Sequence, residues 1–175
     1  FRKNEGKLKG WLAYTLSKSE QLTSGRNSIE PGINNGEWYN TPYDKTHDLS
    51  INASYELSKK WKFNTNFLLQ TGQPTNYPVG QYEFQGLNVP IYNDNQRNSD
   101  RLPTYHRLDL SAILTPIKNN NRDLQGEWVF GIYNIYNRKN AASIAFSRNT
   151  ETSTNEAIKT SIFGIVPSVT YNFKF

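Results

Sequence analysis

His47 and His106 are the chain's two histidines, and they stand beside Asp48 and Arg107. An imidazole next to a charged group is the usual starting point for acid–base or metal chemistry. Neither histidine has the partners that such chemistry needs, because the sequence contains no His-x-x-x-His pair and no Gly-x-Ser-x-Gly turn. Cysteine is absent, which removes disulfides, thiolate metal sites and cysteine nucleophiles. Asp94, Gln96, Asn98 and Asp100 alternate as the oxygen ligands of a calcium loop would. That match fails at two positions: Ser99 stands where the loop needs glycine, and Tyr105 where it needs a bidentate glutamate. No paired carboxylates, phosphate-cradling loop or activated nucleophile is present. The expectation is a protein that is not an enzyme, with no metal and no cofactor, whose histidines form hydrogen bonds near strand ends.

Aromatic rings are the richer resource, at 14% of residues. Trp38, Tyr39, Tyr43, Tyr82, Phe84 and Tyr92 fall in stretches rich in Gly, Pro, Asn and Tyr that carry no periodicity. They are the candidate ligand-binding residues, since aromatic platforms on loops suit contact with a ligand or surface partner. The same rings would serve to pack the loops together, and the sequence leaves both roles open. Trp11, Tyr14, Trp61, Phe63, Trp128, Tyr171 and Phe173 lie instead in alternating segments, near strand ends or on apolar rows. These have an architectural character.

The elements that would position those rings are strands, marked by period-two alternation. His47 to Leu57 is the plainest case: Leu49, Ile51, Ala53, Tyr55 and Leu57 fall on one face and Asp48, Ser50, Asn52, Ser54 and Glu56 on the other. A helix would mix the two sets on every face. Trp61 to Thr71 repeats the pattern with only Leu68 out of place, and Ser58-Lys59-Lys60 leaves room for nothing but a tight hairpin between the two runs. Lys7 to Ser17, Arg107 to Leu114, Trp128 to Tyr136 and Phe163 to Phe175 complete six predicted strands, the fifth being the least cleanly patterned. Ser58–Lys60 and Pro116–Gly126 are short connections, Ser19–Thr46 and Gln73–Pro103 are long ones, and Asn149–Lys159 is intermediate.

Mean hydropathy is only −0.76, yet this does not exclude a membrane. A spanning helix needs about 18 consecutive apolar residues and would raise that value, whereas each strand of a barrel carries a far weaker signal. The net charge of +5 is spread along the chain and not gathered on one helix face, so nucleic acid is not an expected partner. Short turns at one end and long loops at the other are the arrangement of an outer-membrane barrel, with turns in the periplasm and loops outside. Both chain ends are then expected on the turn side. A soluble sandwich or a lipocalin-like barrel would also alternate, but would have short loops at both ends. Six strands are too few to close a barrel, and the absence of methionine means that Phe1 is no initiator. The chain therefore reads as part of a larger product.

Several segments carry a resemblance. Gly10-Trp11-Leu12-Ala13-Tyr14-Thr15-Leu16-Ser17, Tyr43-Asp44-Lys45-Thr46-His47-Asp48-Leu49, Arg101 to Leu110, Tyr133 to Asn140 and Pro167 to Phe175 together resemble the late strands of TonB-dependent outer-membrane receptors of the Bacteroidota. The resemblance implies an all-β, antiparallel transmembrane barrel of about 22 strands, the number in plugged outer-membrane transporters, of which this would be the last six. It implies multi-pass residence in the outer membrane of a Gram-negative bacterium. Its implied partners are the remainder of the barrel and its plug, the TonB complex of the inner membrane, the barrel assembly machinery, the lipid bilayer and, in some systems, a surface lipoprotein. Tyr171, Phe173 and the terminal Phe175 resemble the C-terminal signal that the assembly machinery reads; an ordinary amphipathic strand ending in an aromatic residue is the other explanation. The implied function is import of a scarce nutrient: an iron chelate, haem, cobalamin, a peptide or a glycan. A docking subunit of a larger envelope complex and a passive porin are the alternatives, and a plug and TonB box ahead of Phe1 would separate them.

Overall fold

The computed structural model describes residues 1–93, 95–116, 125–149, 151–152 and 154–174. Its centre is a single seven-stranded antiparallel sheet of β1 (Arg2–Lys3), β2 (Leu8–Leu16), β3 (His47–Glu56), β4 (Trp61–Gln70), β5 (Tyr105–Leu114), β6 (Gln125–Tyr133) and β7 (Val166–Lys174), in which every strand neighbours the next in chain order. The sheet is open, with β1 and β7 as its edges. The last six strands are nine or ten residues long, as a tilted strand needs to cross a bilayer.

Cross-strand partners share a face, so the register decides whether the alternations of separate strands agree. They do. Leu8 pairs Tyr55, which pairs Phe63, then Ala112, Phe130 and Val169. The next row runs Gly10, Ala53, Thr65, Leu110, Ile132, and the one beyond it Leu12, Ile51, Phe67, Leu108. On the other face Lys9, Ser54, Asn64, Ser111, Gly131 and Ser168 form a row, as do Trp11, Asn52, Asn66 and Asp109. A slip of one residue in any strand would bring its polar set onto the apolar face.

Nothing covers either face among the described residues. Tyr39 and Pro74 are their only buried apolar side chains, and the chain of 20.2 kDa exposes 12847 Å². A compact protein of that mass exposes about 8,800 Å². The sandwich expected as an alternative would have a second sheet packed against the first, and no such sheet is found there.

Several expectations need correction. The chain starts on the outer strand, midway along the length of β2 and not at its turn end: the Phe1 amine donates to the Leu12 carbonyl at 2.8 Å, and the Leu12 N–H returns a bond of 2.8 Å. This adds a seventh strand, β1, too short to show periodicity. Trp11 lies on the polar face, opposite Arg2 and Asn52, because its odd number sets it with Lys9 and not with Leu8. Strand β6 ends at Tyr133, so Tyr136 is a loop residue, and β7 begins at Val166, leaving Phe163 and Ile165 outside it. The third loop is accordingly the whole of residues 134–165, as long as the other two. The long loops were expected to lack regular structure, but the second contains a hairpin of Gly80–Phe84 and Leu87–Ile91, and the third one of Ser143–Arg148 and Asn155–Thr160. Gln85 and Gly86 have φ of 51° and 79°, and two consecutive positive values make the tight turn that matches strand twist. Most of the Pro116–Gly126 connection lies outside the described residues.

Candidate functional site

The three long loops, residues 17–46, 71–104 and 134–165, emerge from one edge of the sheet, so whatever they recognise is met there. Their bases are tied down mainly by polar groups. In the first loop Glu20–Gln21 pairs with Tyr39–Asn40, and in the second Pro74–Thr75 pairs with Asp100–Arg101. Side chains then join one loop to the other. The Arg101 guanidinium bonds the Asp44 carboxylate, and its other terminal nitrogen donates to the Gly72 carbonyl at 3.1 Å. Gly72 must be glycine, because a Cβ there would collide with the Leu102 carbonyl. Asp44 is 1% exposed and also accepts the Ser19 N–H at 2.6 Å. Burial pushes its carboxyl up, but the bonds from Arg101 and Ser19 outweigh that and hold it below its ordinary value of 3.8.

A second tie is an amide exchange, in which Asn98 donates to the Asn40 carbonyl at 2.6 Å and Asn40 to the Asn98 carbonyl at 3.3 Å. The Asn98 backbone N–H is in turn taken up by the Asn76 side chain. Asp100 accepts the Tyr77 N–H at 2.9 Å, and the Tyr77 ring lies 5.2 Å from Phe146 of the third loop. Of the positions that alternate in the manner of a calcium loop, Asn98 and Asp100 are thus engaged as loop ties, and Asp94 lies outside the described residues. No cluster of three acidic or histidine side chains among those residues could hold a metal.

The third loop is anchored by Asn134, which is 1% exposed. Its side chain donates to the Arg138 carbonyl at 2.9 Å and accepts the Arg138 N–H at 3.0 Å, while its own N–H reaches Asp109 at 2.9 Å. Asparagine suits this place because its φ is 52°, a region that side chains other than Asn and Asp rarely adopt. Below the loops, the Tyr14 hydroxyl meets His47 Nδ1 at 2.8 Å and the Tyr136 hydroxyl meets His106 Nδ1 at 2.8 Å. Both histidines therefore act in hydrogen bonding at the loop edge of the sheet.

Of the six aromatic candidates, Tyr39 is buried, and its hydroxyl meets that of Thr23 at 3.0 Å. Its ring packs the loop base and presents no face to a ligand. Trp38 and Tyr43 are exposed, at 64% and 80%, on the first loop. Tyr82 and Phe84 come together on one face of the second loop's hairpin, with Val89 and Leu87 opposite them, and Tyr92 follows it; all three rings are exposed. The ties made by Asp44, Arg101 and Asn134 were missed by sequence reasoning. Asn134 offered a faint signal, as an asparagine closing an alternating run, but Asp44 and Arg101 lie 57 residues apart and nothing in the sequence pairs them.

At the opposite edge, Trp61, Leu114, Trp128 and Tyr171 form a cross-strand row. Trp128 and Tyr171 have ring centroids 4.7 Å apart, and Tyr171 and Phe173 stack at 6.2 Å; Phe175 lies outside the described residues. On the polar face a depression of about 470 Å³ is lined by Asn52, Asn64, Asn66, Asp109 and Ser111 among others. No family model, no curated protein and no solved structure matches the chain.

Proposed function

We propose that the chain forms the C-terminal part of the wall, and part of the outer rim, of an outer-membrane barrel of the TonB-dependent importer type, which takes up a scarce nutrient. The observation that carries this reading is the uncovered apolar face, continuous over six strands and bounded at each edge by rings able to hydrogen bond. From His106 to Leu114 is eight residues, about 26 Å along a strand. A tilt of 35–45° reduces that to about 20 Å, near the apolar height of outer-membrane barrels. The other face carries Asn, Ser and paired charges, as the lumen of such a barrel does. In this reading the polar ties hold the loops as a stiff vestibule whose exposed rings meet the incoming ligand, and the remainder of the barrel and its plug supply the closing strands, the gate and the link to the inner membrane.

The exposed apolar side of the Gly80–Ile91 hairpin favours a second reading, in which the barrel docks another envelope protein and import is secondary. The wall is tested with single-tryptophan variants of the complete barrel in vesicles of brominated lipid. Trp61 and Trp128 should be quenched strongly and Trp11 and Trp38 weakly; equal quenching of all four would sink the proposal. Cutting Gln73–Pro103 to a tight turn then separates the two functions, since loss of uptake with normal barrel abundance supports import, and loss only of a co-purifying envelope protein supports docking.

A further inference from the structure

The apolar face is not uniform. Near the turn edge, Ala53, Thr65 and Ala112 leave a dip of about 450 Å³ between the larger Tyr55, Phe63 and Phe130. The register explains it: Ala53 pairs Thr65, and Ala112 pairs both Phe63 and Phe130, so small side chains on neighbouring strands coincide while aromatic ones flank them. Just beyond the dip are the turns that carry Lys7, Lys59 and Lys60. The turns are neighbours, since Glu56 N–H donates to the Lys7 carbonyl at 2.8 Å. None of these three ammonium groups has a carboxylate partner among the described residues. Lys60 precedes Phe63 by three residues, about 10 Å of strand, so its ammonium head can stay at the interface beyond the apolar face.

We propose that this dip and its lysines form a binding site for one anionic glycerophospholipid of the turn-side leaflet, an acyl chain lying over Ala53 and Ala112 and the phosphate meeting the lysines. Two independent features select the occupant. The dip accepts hydrocarbon, and the unpaired positive charge at one end only matches a molecule that is apolar along its length and anionic at its head. The inference rests on the reading of this face as lipid-facing.

The test uses the complete barrel, purified in mild detergent after exposure to equimolar phosphatidylglycerol and phosphatidylcholine, with retained lipid counted by native mass spectrometry. The wild type should keep phosphatidylglycerol selectively, and inorganic phosphate should not displace it. Replacing Lys7, Lys59 and Lys60 together by Gln should reduce that preference roughly tenfold or more, given the attraction of each lysine to an anionic surface. Ala112→Phe fills the dip without altering the charge, and should abolish retention of both lipids. Equal retention of the two lipids by the wild type, displacement by phosphate, or undiminished retention by Ala112→Phe would overturn the site. Brominated lipid distinguishes the failures: if Trp128 is quenched but no lipid is retained, the site alone is wrong, whereas an unquenched Trp128 removes the wall reading and the site with it.

Discussion

Ile51 in the sheet and Asp44 in the loops are separated by seven residues and held in opposite ways. Ile51 lies between Leu12 and Phe67 in an apolar row and stays half-buried, because no second layer rests on it. Asp44 is almost wholly buried without any apolar core around the loops, enclosed by Arg101 and the Ser19 N–H. The sheet is made regular by its backbone ladder and needs its surroundings to cover it. The loop base is irregular and covers its own polar groups. One region is therefore sensitive to its solvent and the other to the loss of a single partner.

The largest effect should come from Arg101→Ala, which leaves Asp44 buried and uncompensated. Breaking such a pair costs about 3–5 kcal/mol, and here the cost should appear as faster hydrogen exchange in residues 17–46 and 71–104 with the sheet amides unchanged. Faster exchange of the whole sheet as well would mean that loops and wall are not separate units. Next is Ile51→Arg, expected to cost about 2–4 kcal/mol in a bilayer, while Asn52→Arg costs about 1 or less. Urea titration of the complete barrel in vesicles measures both, and equal tolerance would abolish the distinction between the faces. Asn134→Ala should cost about 2 kcal/mol, through the Arg138 backbone groups left unpaired and an unfavourable positive φ. Asn134→Gly should recover the part due to φ, which thermal melts of the two variants would separate.

The smallest effect is one of pH. The folded Asp44 carboxyl is held below 3.8, so its contribution is fully present above pH about 3.8 and is lost as the pH falls below that through the folded value. Pepsin cleavage in the first and second loops, normalised at each pH to cleavage of an unfolded substrate, should therefore rise below that pH relative to pH 5. Asp44→Asn should lose the dependence; an unchanged profile in that variant would assign it to another group.

Strands were legible where alternation ran for nine or ten residues, as in His47–Glu56 and Trp61–Gln70, because one apolar and one polar face impose a period of two on any strand between unlike surroundings. The hairpin of Gly80–Ile91 was overlooked although Tyr82 and Phe84 alternate with Gln81 and Glu83 and Gly86 marks its turn. Five residues of alternation are too few to stand out in a loop rich in Asn and Tyr. Loop aromatics were recognisable as a class, yet the sequence had no means of telling buried Tyr39 from exposed Trp38 beside it.

Residue order alone thus determined the all-β character, the strand positions to within a few residues, and the apolar and polar sets of each strand, since all three follow from local periodicity. Tertiary structure alone decided that these sets align into common rows, that Trp11 stands opposite Arg2 and Asn52, that Phe1 pairs with Leu12, and that Asp44 finds Arg101. Each of those depends on register or on contact between residues distant in the chain. Periodicity fixes where a side chain points along its own strand, but only pairing fixes what stands opposite it.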